Sequence, residues 1–431
     1  MTSPQLVTLA VLLSVVAALI WGKVRSDVVA LAGAAVLLGT RTIRPVEVQG
    51  AFASPAIIAL ASLFVIAYAM ELSGLLGLII RGATRLCARL GALGLWIVIA
   101  VSGAASAFLN NTPIVVLAAP VVKDVAESLN LSPKRFLIPL SYVTILGGAC
   151  TLIGTSTNLL VNDMARNAGQ PVFSMFEITP VGLVVGLAGG LYLFLFGGRL
   201  LGHSPSRSGE VALPEKAESA AGDDPSVFPL DRPFRPFEAV ASLVVFVGVV
   251  TVAALGVAPI AASAFSGAVL LVVLRVISAE DAYKGLRPEI LLLIAGMVVV
   301  GLSLEVTGLA ALATNALVGW VTALGPWMAL ALLYGATLFL TEILSNAAVA
   351  VLLTPVAVAL AESLGVNPRP FLVGIMMAAS AAFATPFGYQ TNVLVYQMGR
   401  YSYLDFVRIG VPLNLLTWLV GVAIIPFFFP F

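Results

Sequence analysis

The sequence predicts an all-α integral membrane protein made of two copies of one helical unit, and three observations carry that prediction. The 431-residue chain is 60% hydrophobic and only 10% charged, against roughly 25% charged residues in a soluble domain. Apolar runs of membrane-spanning length recur from one end to the other. The stretch Phe108-Leu-Asn-Asn-Thr-Pro113 also has a counterpart at Leu344-Ser-Asn-Ala-Ala-Val349. With Asn111 laid on Asn346, Pro120 meets Pro355, Ala126-Glu-Ser-Leu129 meets Ala361-Glu-Ser-Leu364, and Pro133 meets Pro368. After a one-residue slip, Gly154, Thr157 and Asn158 meet Gly388, Thr391 and Asn392, while upstream Glu71 and Gly74 meet Glu305 and Gly308.

A helix needs about 20 residues to cross the hydrocarbon core. Leu6 to Ile20 reads as a retained helix, because no small-residue cleavage site follows it. Val28 to Leu38 is short, and Val24 to Asp27 complete it at the interface. Ala56 to Ile80, Phe136 to Ile153 and Val181 to Phe196 follow, with the longer segment Gly94 to Ser128 between the first two. Residues 202–236 are rich in Pro, Ser, Glu and Asp, contain His203, the only histidine, and read as a flexible cytoplasmic linker. Beyond it come Ala239 to Leu255, Ala261 to Ile277, Ile290 to Ala313, the long segment Pro326 to Ser363, and Ile409 to Phe429. The expected organisation is a first membrane repeat over 1–201, the linker, and a second repeat over 237–431.

Orientation follows from the basic residues. If the N-terminus lies outside and the two long segments enter and leave on one side, 18 of the 22 Lys and Arg fall inside. Only Arg41, Arg44, Arg166 and Arg369 fall outside, as the positive-inside rule favours. Each half then crosses five times, ten in all, so the second repeat is inverted relative to the first.

Asn110-Asn111-Thr112-Pro113 and Ser345-Asn346 interrupt apolar segments near their midpoints. A straight helix leaves such amides in hydrocarbon, whereas a re-entrant hairpin buries the broken backbone against protein or water. Pro113 suits the first turn of the departing helix, and the residues before it suit its cap. Second breaks follow at Gly154-Thr-Ser-Thr-Asn158 and Thr385-Pro-Phe-Gly-Tyr-Gln-Thr-Asn392. Carbonyl and hydroxyl oxygens there can replace the hydration shell of sodium, and helix N-termini can hold an anion. No Lys or Arg is expected near either break, so an anion depends on a co-bound cation for charge compensation, which is a physical basis for coupling.

A single Asn in a membrane helix usually serves as interhelical glue. Four breaks placed by a repeat favour a ligand role for Asn111, Asn158, Asn346 and Asn392, with Asn110 opposite Ser345. Glu342 is expected on one helical face with Asn346, four residues on, where the first half has Ala107. An intramembrane carboxylate there is either a coupling group or tied to a neighbouring helix end. Glu71 and Glu305 read as packing or capping groups. Cys87 and Cys150 suggest neither a disulfide nor a metal site. With no His-Glu-x-x-His pair, Walker Gly-Lys-Ser or dinucleotide fingerprint, and no second glycine for a nucleophile elbow, the pattern excludes the common enzyme classes.

Phe108-Leu-Asn-Asn-Thr-Pro113, Pro139-Leu-Ser-Tyr142, Gly147-Gly148, Thr151-Leu-Ile-Gly-Thr-Ser-Thr-Asn158, Thr341-Glu-Ile-Leu-Ser-Asn346 and Thr385-Pro-Phe-Gly-Tyr-Gln-Thr-Asn392 resemble the divalent anion/sodium symporters of the ion transporter superfamily. The resemblance covers nearly the whole chain apart from the linker. It implies an elevator-type homodimer in a bacterial inner membrane, with sodium as coupling ion, no other cofactor, and no nucleic-acid partner. Carried over, a first sodium site involves Ser106, Asn110, Asn111 and Gly154, and a second Thr341, Ser345, Asn346 and Ala384. A small divalent anion, dicarboxylate or sulfate, lies between them near Thr112, Ser156, Thr157, Asn158, Thr385, Gly388, Thr391 and Asn392. Two departures stand out: the second tip reads Ser345-Asn-Ala347, without a hydroxyl at its third position, and a short linker stands where similar bacterial members carry regulatory domains. A sodium/proton antiporter or proton-coupled carrier with Glu342 titrating is the alternative, and an anion channel a more distant one.

Overall fold

A computed structural model describes residues 1–21, 23–75, 78, 90–201, 234–309, 312 and 325–431. Cys87, His203 and most of the expected linker lie outside the described residues. Among those described, every regular element is a helix. The first half contains α1 (Ser3–Trp21), α2 (Ser26–Gly39), α3 (Pro45–Phe52), α4 (Pro55–Leu72), α5 (Ala92–Ser106), α6 (Asn111–Ser128), α7 (Lys134–Gly148), α8 (Ser156–Asn167) and α9 (Thr179–Leu201). The second contains α10 (Pro236–Ala254), α11 (Ile260–Val273), α12 (Ala279–Gly285), α13 (Pro288–Val306), α14 (Gly325–Thr341), α15 (Asn346–Leu364), α16 (Arg369–Ser380), α17 (Gln390–Met398) and α18 (Tyr403–Phe428).

Local chemistry sets these boundaries. Pro45, Pro55, Pro236 and Pro288 open α3, α4, α10 and α13, where a missing N–H costs nothing. Ser54 caps α4 by accepting the Ile57 N–H at 3.3 Å, and Ser402 with Asp405 forms a capping box on α18. Helices α4 and α13 end alike: Gly74 and Gly308 take φ of +73° and +69°, and their N–H groups bond the carbonyls of Glu71 and Glu305 at 3.0 and 2.9 Å. Among the described residues six stretches are long and apolar enough to cross a membrane, namely Pro45–Leu72, Thr179–Gly198, α10, α13, α15 and α18.

Packing between the halves is largely reciprocal. Helix α2 lies on α13 as α4 lies on α11, α6 lies on α17 as α15 lies on α8, and α9 lies on α18. Within each half, α5 and α6 pack on α7 as α14 and α15 pack on α16. Helices α7 and α16 form the centre: every residue of α16 from Pro370 to Ser380 is buried. The arriving hairpin helix meets α7 with almost no side chain between them, since a Cβ on Gly147 would stand 2.0 Å from the Gly103 carbonyl oxygen.

The reciprocity is incomplete. Helix α15 packs along α13, but α6 has no comparable packing on α4; the first hairpin meets that region through Phe108 and Leu109 at its tip.

The Gly103–Gly147 approach leaves no room for a methyl group. Gly147→Ala is expected to force α5 from α7 and cost about 1–3 kcal/mol, read as a lower unfolding temperature in detergent, whereas Gly190→Ala, with open space around it, is expected to leave that temperature unchanged.

Candidate functional site

Each hairpin breaks just before its polar tip. Helix α5 ends at Ser106 and α6 begins at Asn111; α14 ends at Thr341 and α15 begins at Asn346. Asn110 Oδ1 caps α6 by accepting the Thr112 N–H at 3.3 Å, and Ser345 Oγ caps α15 by accepting the Ala348 N–H at 3.3 Å. Pro113 sits in the first turn of α6. The tips are tied by corresponding hydroxyls: the Ser106 hydroxyl donates to Asn111 Oδ1, and Thr341 Oγ1 lies 2.8 Å from Asn346 Oδ1 and 2.7 Å from the Ala379 carbonyl, to one of which it donates.

The second breaks begin earlier than their polar clusters suggest. Helix α7 stops at Gly148 and α16 at Ser380, while α8 and α17 start at Ser156 and Gln390. Ser156, Thr157 and Asn158, like Thr391 and Asn392, therefore occupy first helical turns. Asn158 Nδ2 donates to the Thr151 carbonyl at 2.9 Å, and Asn392 Nδ2 donates to the Thr385 carbonyl at 3.4 Å and the Ala382 carbonyl at 2.8 Å. Both amides brace their own breaks and are fully buried. Ser141 Oγ of α7 lies 2.7 Å from both Thr391 Oγ1 and Asn392 Oδ1, tying the second break to the first half.

Oxygens converge where hairpin meets break. A Cβ on Gly154 would stand 2.4, 2.7 and 2.9 Å from the carbonyl oxygens of Gly148, Ala107 and Ser106, and one on Gly148 would stand 2.6 Å from Asn111 Oδ1. Only glycine leaves this cradle open. Its donor set of carbonyl and amide oxygens suits a hard cation. The region around Gly388 differs: Ala382 takes the place of Gly148, and a Cβ on Gly388 would lie 3.1 Å from Thr385 Oγ1 and 3.2 Å from Glu342 Oε2. The second region thus carries a carboxylate where the first carries backbone carbonyls.

The position of Glu342 corrects the sequence reading. Helix α14 ends at Thr341, so Glu342 opens the hairpin break and shares no helical face with Asn346. Its Oε1 accepts the Ala384 N–H at 2.7 Å and Asn414 Nδ2 at 2.8 Å, and its Oε2 accepts the Thr385 N–H at 3.0 Å and hydroxyl at 2.9 Å. All four donors are neutral and all suit an ionised carboxylate. Thr151, the counterpart of Thr385, donates its hydroxyl to the Ala107 backbone carbonyl instead.

The two halves also touch at the first tip. Asn111 Nδ2 donates to Tyr389 Oη at 2.9 Å, and the Thr112 hydroxyl donates to Gln390 Oε1 at 3.2 Å. Asn346 Nδ2, by contrast, is buried with no partner among the described residues, as are Asn158 Oδ1, Ser380 Oγ and Asn414 Oδ1. Sequence reasoning missed Gly148, Tyr389, Gln390 and Asn414 as parts of this arrangement. Asn414, a single amide in the apolar run from Ile409 to Phe429, was the available signal for its own part.

Broken helices meeting hairpin tips in an apolar helical bundle define a secondary transporter. The chain belongs to the citrate transporter family of the ion transporter superfamily: that family's model, described as a citrate transporter, matches residues 16–368. An uncharacterized transporter of Synechocystis, sll0640, is 24% identical over 586 aligned positions covering 96% of this chain and 95% of that one. Those positions outnumber this chain's 431 residues, so that relative carries inserted segments. The sodium/sulfate cotransporter 1 of Chlamydomonas reinhardtii is 36% identical over 36% of this chain and 18% of its own length. The sodium-dependent dicarboxylate transporter SdcS of Staphylococcus saprophyticus is 36% identical over 22% of this chain and 18% of its own. The YdaH transporter of Alcanivorax borkumensis shares the fold, with a TM-score of 0.61 at 14% identity over 88% of this chain and 86% of that one. Family and relatives are transporters, not enzymes.

A methyl group at Gly154 fills the first cradle. Gly154→Ala is expected to abolish any thermal stabilisation by sodium chloride over choline chloride. Stabilisation equal to that of the unaltered protein would show that the cradle holds no cation.

Proposed function

We infer that the protein is a sodium-coupled symporter of small divalent anions, dicarboxylate or sulfate, that moves them by an elevator stroke of its two hairpins and broken helices. The observation that carries this reading is the oxygen-lined cradle at Gly154, matched near Gly388 by a second polar region that includes the Glu342 carboxylate. Each lies between a hairpin tip and a helix break. Cations held there place positive charge beside the capped N-termini of α6 and α15, and an anion between the tips gains from both. Residues expected to hold the cations are Ser106, Asn110, Asn111 and Gly154 on one side, and Thr341, Ser345, Asn346 and Ala384 on the other. Asn110 and Ser345 act through their caps.

The failed reciprocity supports the stroke. In a symmetric arrangement both hairpins would rest alike on their scaffold helices, yet α15 lies along α13 while α6 has no comparable packing on α4 and the first hairpin meets that region through Phe108 and Leu109. Such an offset is expected of a unit at one end of its travel. On this reading the repeats are inverted, the N-terminus faces outside, and α1–α4 with α10–α13 form the scaffold of a homodimer in a bacterial inner membrane. Four neutral donors on Glu342 weigh against its serving as a proton carrier.

Purified protein in proteoliposomes is expected to accumulate labelled sulfate or succinate under an inward sodium gradient and not under a proton gradient alone. Glu342→Gln is expected to lower the unfolding temperature, because an amide nitrogen would then face the Ala384 and Thr385 N–H groups, at a cost of about 1–3 kcal/mol. Uptake driven equally by a proton gradient, and lost in Glu342→Gln with folding intact, would establish proton coupling instead.

A further inference from the structure

The two breaks follow one plan and differ at two central positions. Gly154-Thr155-Ser156-Thr157-Asn158 aligns on Gly388-Tyr389-Gln390-Thr391-Asn392, so a phenol and a carboxamide replace two short hydroxyl side chains. The longer pair reaches across to the other half. Tyr389 Oη receives Asn111 Nδ2 at 2.9 Å with Thr155 within hydrogen-bonding reach, and Gln390 Oε1 receives the Thr112 hydroxyl at 3.2 Å. The Asn111 amide and the Thr112 hydroxyl of the first tip are therefore already engaged by protein. At the second tip the balance is reversed: Asn346 Nδ2 is a buried donor with no partner among the described residues, and Ala347 adds no hydroxyl. A buried donor left unpaired calls for an acceptor, and an anion oxygen is one.

We propose that Tyr389 and Gln390 are specificity-determining residues that confine the anion to the Asn346 side of the site and restrict it to a compact tetrahedral oxyanion of sulfate size. A four-carbon dicarboxylate carries two separated charges and requires donors at both ends. Its second carboxylate would need the Asn111 amide and the Thr112 hydroxyl, which Tyr389 and Gln390 hold, and the phenol ring stands in the space that a threonine at this position would leave open. Selection thus works by withholding donors and volume from the longer anion as well as by binding the shorter one. The inference rests on the anion-symport reading above and adds a substrate size to it.

The test is competition for sodium-driven uptake of labelled sulfate in proteoliposomes, with succinate and unlabelled sulfate as competitors. In the unaltered protein succinate is expected to compete at least about tenfold more weakly than sulfate. Tyr389→Thr combined with Gln390→Ser, which copies the first break, is expected to bring the two competitors to near parity. Tyr389→Phe keeps the ring and frees Asn111, so it is expected to shift the ratio part of the way. If the double variant loses uptake, thermal stabilisation of Tyr389→Phe by each anion in sodium gives the ratio instead. A ratio unchanged in the variants while sulfate uptake persists, or parity already present in the unaltered protein, overturns the specificity role and leaves the symporter reading standing. Absence of sodium-dependent uptake or stabilisation by either anion in the unaltered protein overturns both.

Discussion

Everything in this fold answers to one constraint: backbone groups freed by breaking a helix inside an apolar bundle must find partners within the protein. Among the described residues the chain breaks at two hairpin tips and two helix interruptions, and each break is closed by side chains placed for the purpose. Asn158 and Asn392 hold the carbonyls seven residues behind them, Thr151 and Thr385 turn their hydroxyls back toward the hairpin breaks, and Glu342 gathers two backbone N–H groups. Three backbone carbonyls, those of Ser106, Ala107 and Gly148, converge at Gly154, and the Ala107 oxygen accepts the Thr151 hydroxyl as well. A cation-suited cradle is thus built from groups that the breaks expose.

The halves solve the same problem with different chemistry. Around Gly154 the oxygens are mostly backbone dipoles, and the space exists because Gly148 and Gly154 lack side chains. Around Gly388 a methyl from Ala382 intrudes and a carboxyl oxygen of Glu342 lies close by. A cation in the second region meets a carboxyl group and one in the first meets carbonyl and amide oxygens, so the two are not expected to hold cations equally. The divergence continues at the tips, where one amide is clasped by Tyr389 and the other is left unpartnered.

Much of this was legible in the sequence. The apolar runs and the duplicated Asn-containing tips located both hairpins and both breaks, because amides and hydroxyls clustered inside an apolar segment are costly in hydrocarbon unless the helix breaks there. What escaped was whatever depends on the partner across the fold. Helical periodicity alone puts Glu342 on a face with Asn346, and only the tertiary contacts to Ala384, Thr385 and Asn414 fix the turn that separates them. The bracing role of Asn158 and Asn392 escaped as well, since spacing brings an amide to a break without saying whether it faces the cavity or the backbone.

Helices α7 and α16 are each secured at their first turn. The Tyr401 hydroxyl donates to the Lys134 carbonyl at 2.5 Å and accepts the Ile138 N–H at 3.2 Å, while Arg369 at the start of α16 pairs with Glu177 and lies 4.1 Å from the centre of the Phe173 ring. From the middle of α7 the Tyr142 hydroxyl grips the Phe383 carbonyl, just beyond the far end of α16. A body bolted in this way at its ends and its middle resists internal shear. Its contact with the helices around α4 involves the apolar side chains of Phe108 and Leu109. Stiffness is directional inside the bundle, and where Phe108 and Leu109 meet that boundary the contact is one of dispersion, which resists sliding little.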